Sequence, residues 1–465
     1  MSTSRSPGRI SRRRFLEATA GTAAWVAVGG VAGLAATTLA GKPVASKRNP
    51  LFVPSTATPE NFSLRAAPGQ IDLGGGRTTR AWVYNGLMPG PTLIASTGDS
   101  ASITLYNGLS QPTITHWHGM LVNHENDGHP MKAVDPGGTY VYEFPIMNRA
   151  ALNWYHPHPH MLTGEQVAMG LAGAFIIRDD EETALGLPSG THEVPLVLRD
   201  TDLDRTGNIV YKPRSGGWLG TYPLVNGTRD PYLAVDQGIY RFRVLGGANA
   251  RIFGLALDNG LPFKLIGNDG GLLAEASDIS QVDIAPGERL DLLVDFGPQS
   301  AGTRIMLRDV RSGWNLLEFQ VGSKSATGTM PVGTLSTIVP LAGPSTVTRF
   351  FSFDGMTKIN GREYDMHRID FTVPFDVTER WRFTTNGNAP HPVHVHGASF
   401  QVVSRTGGRG RIFPWEGGWK DTVLLEDRET VDVMVRFDAY RGLYLMHCHK
   451  LEHEDMGMMA NFEVI

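Results

Sequence analysis

Cysteine is the scarcest feature of this chain, with one in 465 residues. A single thiol cannot close a disulfide within the chain, so Cys448 cross-links no loop and must be present for another reason. Positive charge is not in excess either: 42 Lys and Arg face 46 Asp and Glu, for a net charge of −4. That balance leaves no basic footprint for nucleic acid, and no nucleic-acid partner is expected. Beyond the N-terminal segment no helical pattern matches the strand patterns in length, which argues against a helical bundle.

The N-terminal segment has its own logic. In residues 11–21, SRRRFLEATAG, consecutive arginines directly precede a small-residue apolar run that reaches about residue 39. This reads as a twin-arginine export signal, with small residues at 38–41 suited to cleavage. Residues 1–40 carry five arginines and one glutamate, so their removal takes the net charge from −4 to −8. The expected location is periplasmic or extracellular, without stable membrane association after cleavage. An oxidising compartment usually invites disulfides, which makes the lone thiol more pointed.

The remaining chain is too long for one ordinary core. Short runs rich in Val, Ile, Phe and Thr recur between Gly, Pro, Asn and Asp, as in residues 101–109, 238–247, 289–297 and 430–438. Their period-2 alternation is that of half-buried strands. A weak repeat, a polar lead followed by a strand, occurs at residues 98–107, 237–245 and 377–385. An all-β fold of Greek-key β-sandwiches follows. The expected divisions are a signal and linker over 1–45 and domains over 46–185, 186–335 and 336–465.

Histidine is where the sequence concentrates chemistry. Random placement of 15 histidines would give about 0.5 His-x-His pairs, yet there are five, at 116/118, 156/158, 158/160, 394/396 and 447/449. On a strand such a pair puts two imidazoles on one face. Imidazole and thiolate together select copper, zinc or iron. A structural zinc site is a closed set of four ligands, and the clustered histidines exceed it. In the HCH triplet at 447–449, alternation sends Cys448 to one side and His447 and His449 to the other. The thiolate then serves one metal and its neighbours serve others, across adjacent Cα atoms about 3.8 Å apart. Downstream, His453 and Met458 offer a second imidazole and a thioether, and His391 another imidazole; two His, one Cys and a weak axial Met make an electron-transfer copper site.

With these motifs, and with NGLMPGPTL at 85–93, GLAGAFII at 170–177 and GWKDTV at 418–423, the chain resembles three-domain multicopper oxidases of the bacterial laccase and cuprous-oxidase type. The resemblance implies three cupredoxin-like sandwiches with a trinuclear site between the first and third, and four copper ions. It assigns the type 1 copper to His391, Cys448, His453 and Met458, and the type 2 copper to His116 and His394. One type 3 copper falls to His118, His156 and His449, the other to His158, His396 and His447. Asp127 and Glu454 match positions that handle protons in the cuprous-oxidase group.

The implied reaction couples one-electron oxidation of a small reductant (a phenol, an aromatic amine or Cu(I)) to four-electron reduction of O2 to water, in a protein expected to be a monomer. The methionine- and histidine-rich insertion of Cu(I) specialists is missing: residues 351–366 contain only Met356 and Met366. The edge of His453 is therefore expected to be open to bulky phenols. The alternatives are a periplasmic cuprous oxidase for copper tolerance, or a copper-binding or cell-division structural protein of the same fold. The copper-free cell-division relative has lost most of the ligands, whereas all ten histidines, Cys448 and Met458 are present here.

Overall fold

The computed structural model describes residues 48–465 except 326, 327, 345, 386 and 388. The export signal lies outside the described residues. No helix among the described residues is long and apolar enough to cross a membrane.

The all-β class expected from the alternation is what the structure shows. In Ser100–Asn107, Ala101, Ile103 and Leu105 point inward while Tyr106 faces solvent. In Glu379–Thr385, Trp381 and Phe383 point inward between half-buried Arg380, Arg382 and Thr384. One face of each strand removes apolar surface from water and the other stays wet, and this selects sheets stacked in pairs.

Three such pairs form. In the first, the sheet containing Phe62–Asp72, Thr78–Tyr84, Ser100–Asn107 and Thr139–Pro145 packs on one containing Thr92–Ser96, Thr115–His118, Ala151–Pro157 and Gly173–Arg178. Leu64, Ile103, Trp117, Tyr142 and Phe175 fill the space between. Parallel pairing of Phe62–Asp72 with Ser100–Asn107, and of Thr92–Ser96 with Gly173–Arg178, requires the crossovers of Greek-key sandwiches. The middle pair takes the strands from Glu193–Leu203 to Trp314–Ser325, together with the short N-terminal strand Asn49–Pro50, which lies parallel to Pro231–Gln237. The last pair takes the strands from Arg349–Asp354 to Met459–Val464 around Phe353, Trp381, Phe383 and Phe462.

Four strands carry the histidine motifs. Thr115–His118 runs antiparallel to Ala151–Pro157 with His116 opposite His156. His391–Val395 runs antiparallel to Gly442–Cys448 with His394 opposite His447 and Val393 opposite Cys448.

Candidate metal centres

Strand alternation sorts the side chains of these four strands. Trp117, between two histidines, packs edge-on against Tyr142 in the first core, with centroids 5.0 Å apart. Val393, Val395, Met446 and Cys448 point into the last core. Their neighbours His394, His396 and His447 point the other way, and the rings of His394, His396 and His116 lie within 5.6 Å of one another, centroid to centroid.

Two groups of three ligand atoms match the expected sets. His391, Cys448 and His453 form one: the Cys448 Sγ lies 3.4 Å from His391 Nδ1 and 3.5 Å from His453 Nδ1, and the two nitrogens are 3.3 Å apart. His158, His396 and His447 form another, with Nε2 of His447 3.3 Å from that of His158 and 3.1 Å from that of His396. His116 and His394, the expected type 2 pair, hold their Nε2 atoms 3.4 Å apart.

The third expected set is gathered more loosely. The rings of His118, His156 and His449 are 5.0–5.8 Å apart, but His118 directs its Nε2 to Asp421 Oδ1 at 3.0 Å. Its closest three-atom groups are with His116 and His156, or with His394 and Asp421. Met458 is fully buried in the same core as Cys448, and its carbonyl accepts from the Cys448 N–H at 3.1 Å.

Outer partners decide which ring nitrogen carries the proton, and this tests whether the residues fit metal ions. His116 Nδ1 donates to the Asp127 carbonyl at 2.6 Å, His394 Nδ1 to the Asp421 carbonyl at 2.9 Å and His396 Nδ1 to Asp127 Oδ2 at 2.8 Å. His447 Nδ1 faces the Cys448 carbonyl and Glu454 Oε2, both at 3.2 Å. With their protons on Nδ1, these rings aim Nε2 lone pairs at one another with no hydrogen between. Protonation does not relieve the conflict: burial, ahead of any neighbouring charge, pulls His158, His396 and His447 well below the ordinary imidazole range. A cation among the lone pairs does relieve it, and outer hydrogen bonds of this kind are how metal-binding imidazoles are oriented.

The thiol group tells the same story. Burial pushes Cys448 up to about 12, and burial followed by the Lys450 charge lowers His391 to about 3 and His453 to about 2. A thiolate in this apolar pocket needs a metal ion to stabilise it.

The two expected proton carriers both lie at the histidine cluster. Asp127 is fully buried; Oδ2 holds His396, and Oδ1 lies 3.5 Å from His116 Nδ1 without a hydrogen-bond partner. Glu454 is also buried, with Oε1 3.6 Å from His158 Nε2 and Oε2 3.2 Å from His447 Nδ1. Burial, reinforced by the Asp455 charge, raises its carboxyl well above the usual range. A neutral acid beside the cluster can supply protons.

Sequence reading missed the support that the middle sandwich provides. Arg289, which begins the strand Arg289–Asp295, reaches Asp421 with both terminal nitrogens, Nη1 at 2.7 Å. Asp421 in turn receives His118. Lys420 pairs with Asp269 at 3.0 Å and Glu288 at 3.3 Å. Between these charges, Gly287 adopts φ +84°, and a Cβ there would come within 2.9 Å of His449 and 3.1 Å of His118. Only glycine lets the loop back onto both rings. Nothing local in the KD of GWKDTV points to Arg289, 132 residues from Asp421.

Arg289→Met leaves the Asp421 carboxylate buried without its main cation. Removing one partner of a buried pair costs about 3–5 kcal/mol. The expected outcome is a clear loss of thermal stability, partly restored by adding Asp421→Asn; equal melting temperatures for Arg289→Met and the parent would refute it.

The expected open edge of His453 is not what the structure has: the residue is 0% exposed. Residues 211–218 of the middle sandwich pack against its neighbours in the chain: the Trp218 N–H donates to Glu452 Oε2 at 2.9 Å, and a Cβ on Gly217 would come within 3.8 Å of Lys450 Cδ. Of the histidines left without a role, His129 hydrogen-bonds Asn461 at 3.0 Å, and His160 packs its ring on Tyr364, centroids 5.3 Å apart.

Comparison with known proteins follows the same lines. Two family models described as multicopper oxidase match residues 65–182 and 339–465. The chain is 32% identical over 414 residues to a multicopper oxidase mco of Staphylococcus haemolyticus, covering 87% of this chain and 88% of that one. It is 30% identical to a laccase of Bacillus subtilis, over 83% of this chain and 90% of the laccase. It is also 31% identical to the cell division protein FtsP of Proteus mirabilis, over 84% and 86%. Among solved structures, the McoA multicopper oxidase of Aquifex aeolicus superposes with a TM-score of 0.84 at 33% identity, covering 90% of this chain and 99% of that one. Facing lone pairs, a buried thiol between two imidazoles, three cupredoxin-like sandwiches and similarity along most of the chain agree: this protein belongs to the multicopper oxidase family.

Proposed function

We propose that the chain is a laccase-like oxidase that takes single electrons from phenols or similar donors and reduces O2 to water, using four copper ions held by the twelve residues assigned above. One observation carries this reading. Adjacent residues of one strand, His447 and Cys448, belong to different ligand groups, so the shortest covalent path between two metal centres is a single peptide unit. A protein that only stored copper would have no use for that connection, and a copper-free structural role leaves facing lone pairs and a buried thiol unexplained.

Bound copper would supply one-electron acceptance at the Cys448 site and the multi-electron chemistry of O2 at the histidine cluster. The chain's own residues do the rest. Cys448, His391 and His453 present soft and borderline donors from inside an apolar core, which excludes water from the thiolate. Asp127 fixes His396 in the tautomer that frees its Nε2, and its unpaired Oδ1 faces the cluster as a proton acceptor. Glu454 holds its proton beside His158 and His447 until it is needed.

We further propose export by the twin-arginine route, a monomer, and domain limits near residues 185 and 335. Phenols are favoured over Cu(I) because the methionine-rich insertion is missing and because the laccase similarity spans most of both chains. Copper analysis, the optical spectrum and O2 uptake of the purified protein test the enzyme reading: about four copper per chain, a blue band that bleaches with donor and returns in air, and one O2 per four electrons are expected. Side-by-side kinetics test the donor. A specificity constant for Cu(I) far above that for every phenol, or phenol turnover only with excess copper, would defeat the laccase-like assignment.

A further inference from the structure

Residues 211–218, YKPRSGGW, join the short strand Ile209–Val210 to Tyr222–Val225 and form no strand themselves. Proline and two glycines suit a loop, and residues 212–216 are exposed while Gly217 and Trp218 are buried. One buried carboxylate pins this loop at both ends. Tyr211 donates its hydroxyl to Glu452 Oε1 at 3.0 Å, and the Trp218 backbone N–H donates to Oε2 at 2.9 Å. Asn249 Nδ2 adds a third bond to Oε1 at 2.8 Å. The rings of Tyr211 and Trp218 meet edge to face, centroids 5.5 Å apart. Between the two pins the loop keeps one internal backbone bond, from Gly217 N–H to the Arg214 carbonyl at 3.0 Å.

Glu452 directly precedes His453 on the helix Leu451–Asp455. The cover over His453 is thus tied to the residue next to it. His453 itself is fully buried behind this arrangement.

We infer that residues 211–218 are a cap over the electron-accepting edge of His453, and that Glu452 is the positioning residue that keeps it shut, so that the loop selects donors by size. The inference rests on the oxidase reading above. Donors give electrons, not atoms, so they need close approach and no binding pocket. A compact single-ring donor can approach beside the cap, whereas a multi-ring donor needs the cap displaced. Opening is cheap in structural terms, because the exposed stretch is anchored only at its ends.

The test uses the copper-loaded protein with three changes: Tyr211→Phe, Glu452→Gln, and replacement of residues 212–216 by two glycines. Steady-state kinetics with a compact donor (catechol) and a bulky one (a diaryl azo phenol) give the ratio of their specificity constants. Loosening the cap is expected to raise the bulky-to-compact ratio at least about 5-fold, mainly through KM, with the blue band and its potential unchanged. Trypsin should also cut after Arg214 faster in Tyr211→Phe and Glu452→Gln than in the parent. If the glycine replacement does not fold, the two point variants still decide. An unchanged ratio, an equal rise for both donors, or unaltered cleavage at Arg214 overturns the cap. A parent protein with neither blue band nor O2 uptake defeats the oxidase reading and the cap together, whereas an active parent with an unmoved ratio defeats the cap alone.

Discussion

Cys448→Ser is expected to abolish oxidase turnover while leaving a folded protein that still binds copper at the histidine cluster. The reason lies in the sorting of one strand. Cys448 points into the last core with Val393 and Val395, whereas His447 points to the cluster, its Nε2 3.1 Å from that of His396. Serine nearly matches the shape of cysteine, so the sheet pairing through Val393 can persist. Its hydroxyl enters an apolar pocket, and burying an incompletely bonded hydroxyl costs about 1–3 kcal/mol. That lowers the melting temperature without unfolding the chain. The thiolate, however, is the one anionic ligand of its group, the Met458 thioether being only a weak axial donor, and hydroxyl oxygen does not replace it. Copper analysis should fall from about four to about three per chain, the blue colour should vanish, and O2 uptake with any phenol should fall to background. A variant that keeps its blue band would overturn the assignment of Cys448.

Asp127→Asn is expected to separate the two halves of the reaction. The side chain is fully buried, with one oxygen on His396 Nδ1 at 2.8 Å and the other unpaired near His116. Asparagine can keep the first contact by presenting its amide oxygen, so His396 stays in the same tautomer and copper content should hold. It cannot accept and release a proton. General acid–base assistance is worth about 10²–10⁴-fold, so reoxidation of the fully reduced protein by O2 should slow by at least about 10²-fold. Anaerobic bleaching by donor, which takes place at the Cys448 group, should keep its rate. Stopped-flow traces of the two half-reactions check this, and normal reoxidation would reduce Asp127 to an orienting residue alone.

The legibility of the site from sequence follows from how local each feature is. The strands could be read because alternation repeats every two residues, as in Ser100–Asn107 and Glu379–Thr385. The same short period sorted His116 and His118 from Trp117, and His447 from Cys448, before any contact was known. The pairing of His118 with Asp421 could not be read that way, since a strand pattern says which face a side chain takes and not what lies across from it. Asp127 and Glu454 were implied only by the family resemblance, and their unpaired oxygens and burial appear only when three segments close around them.

What the sequence determined by itself was therefore the all-β class, the clustering of histidines around one thiol, and the division of His447 and Cys448 between two candidate ligand groups. All of these depend on backbone geometry over a few residues. The tertiary structure decided the rest: that Arg289 and Gly287 of the middle sandwich approach His118 and His449, and that His453 is buried, with Trp218 of a distant loop bonded to its neighbour Glu452, where an open edge was expected. Those contacts join segments more than 100 residues apart. Their partners are chosen by the packing of one sandwich against another and by the need to pair buried charges such as Asp421, and no local period records that choice.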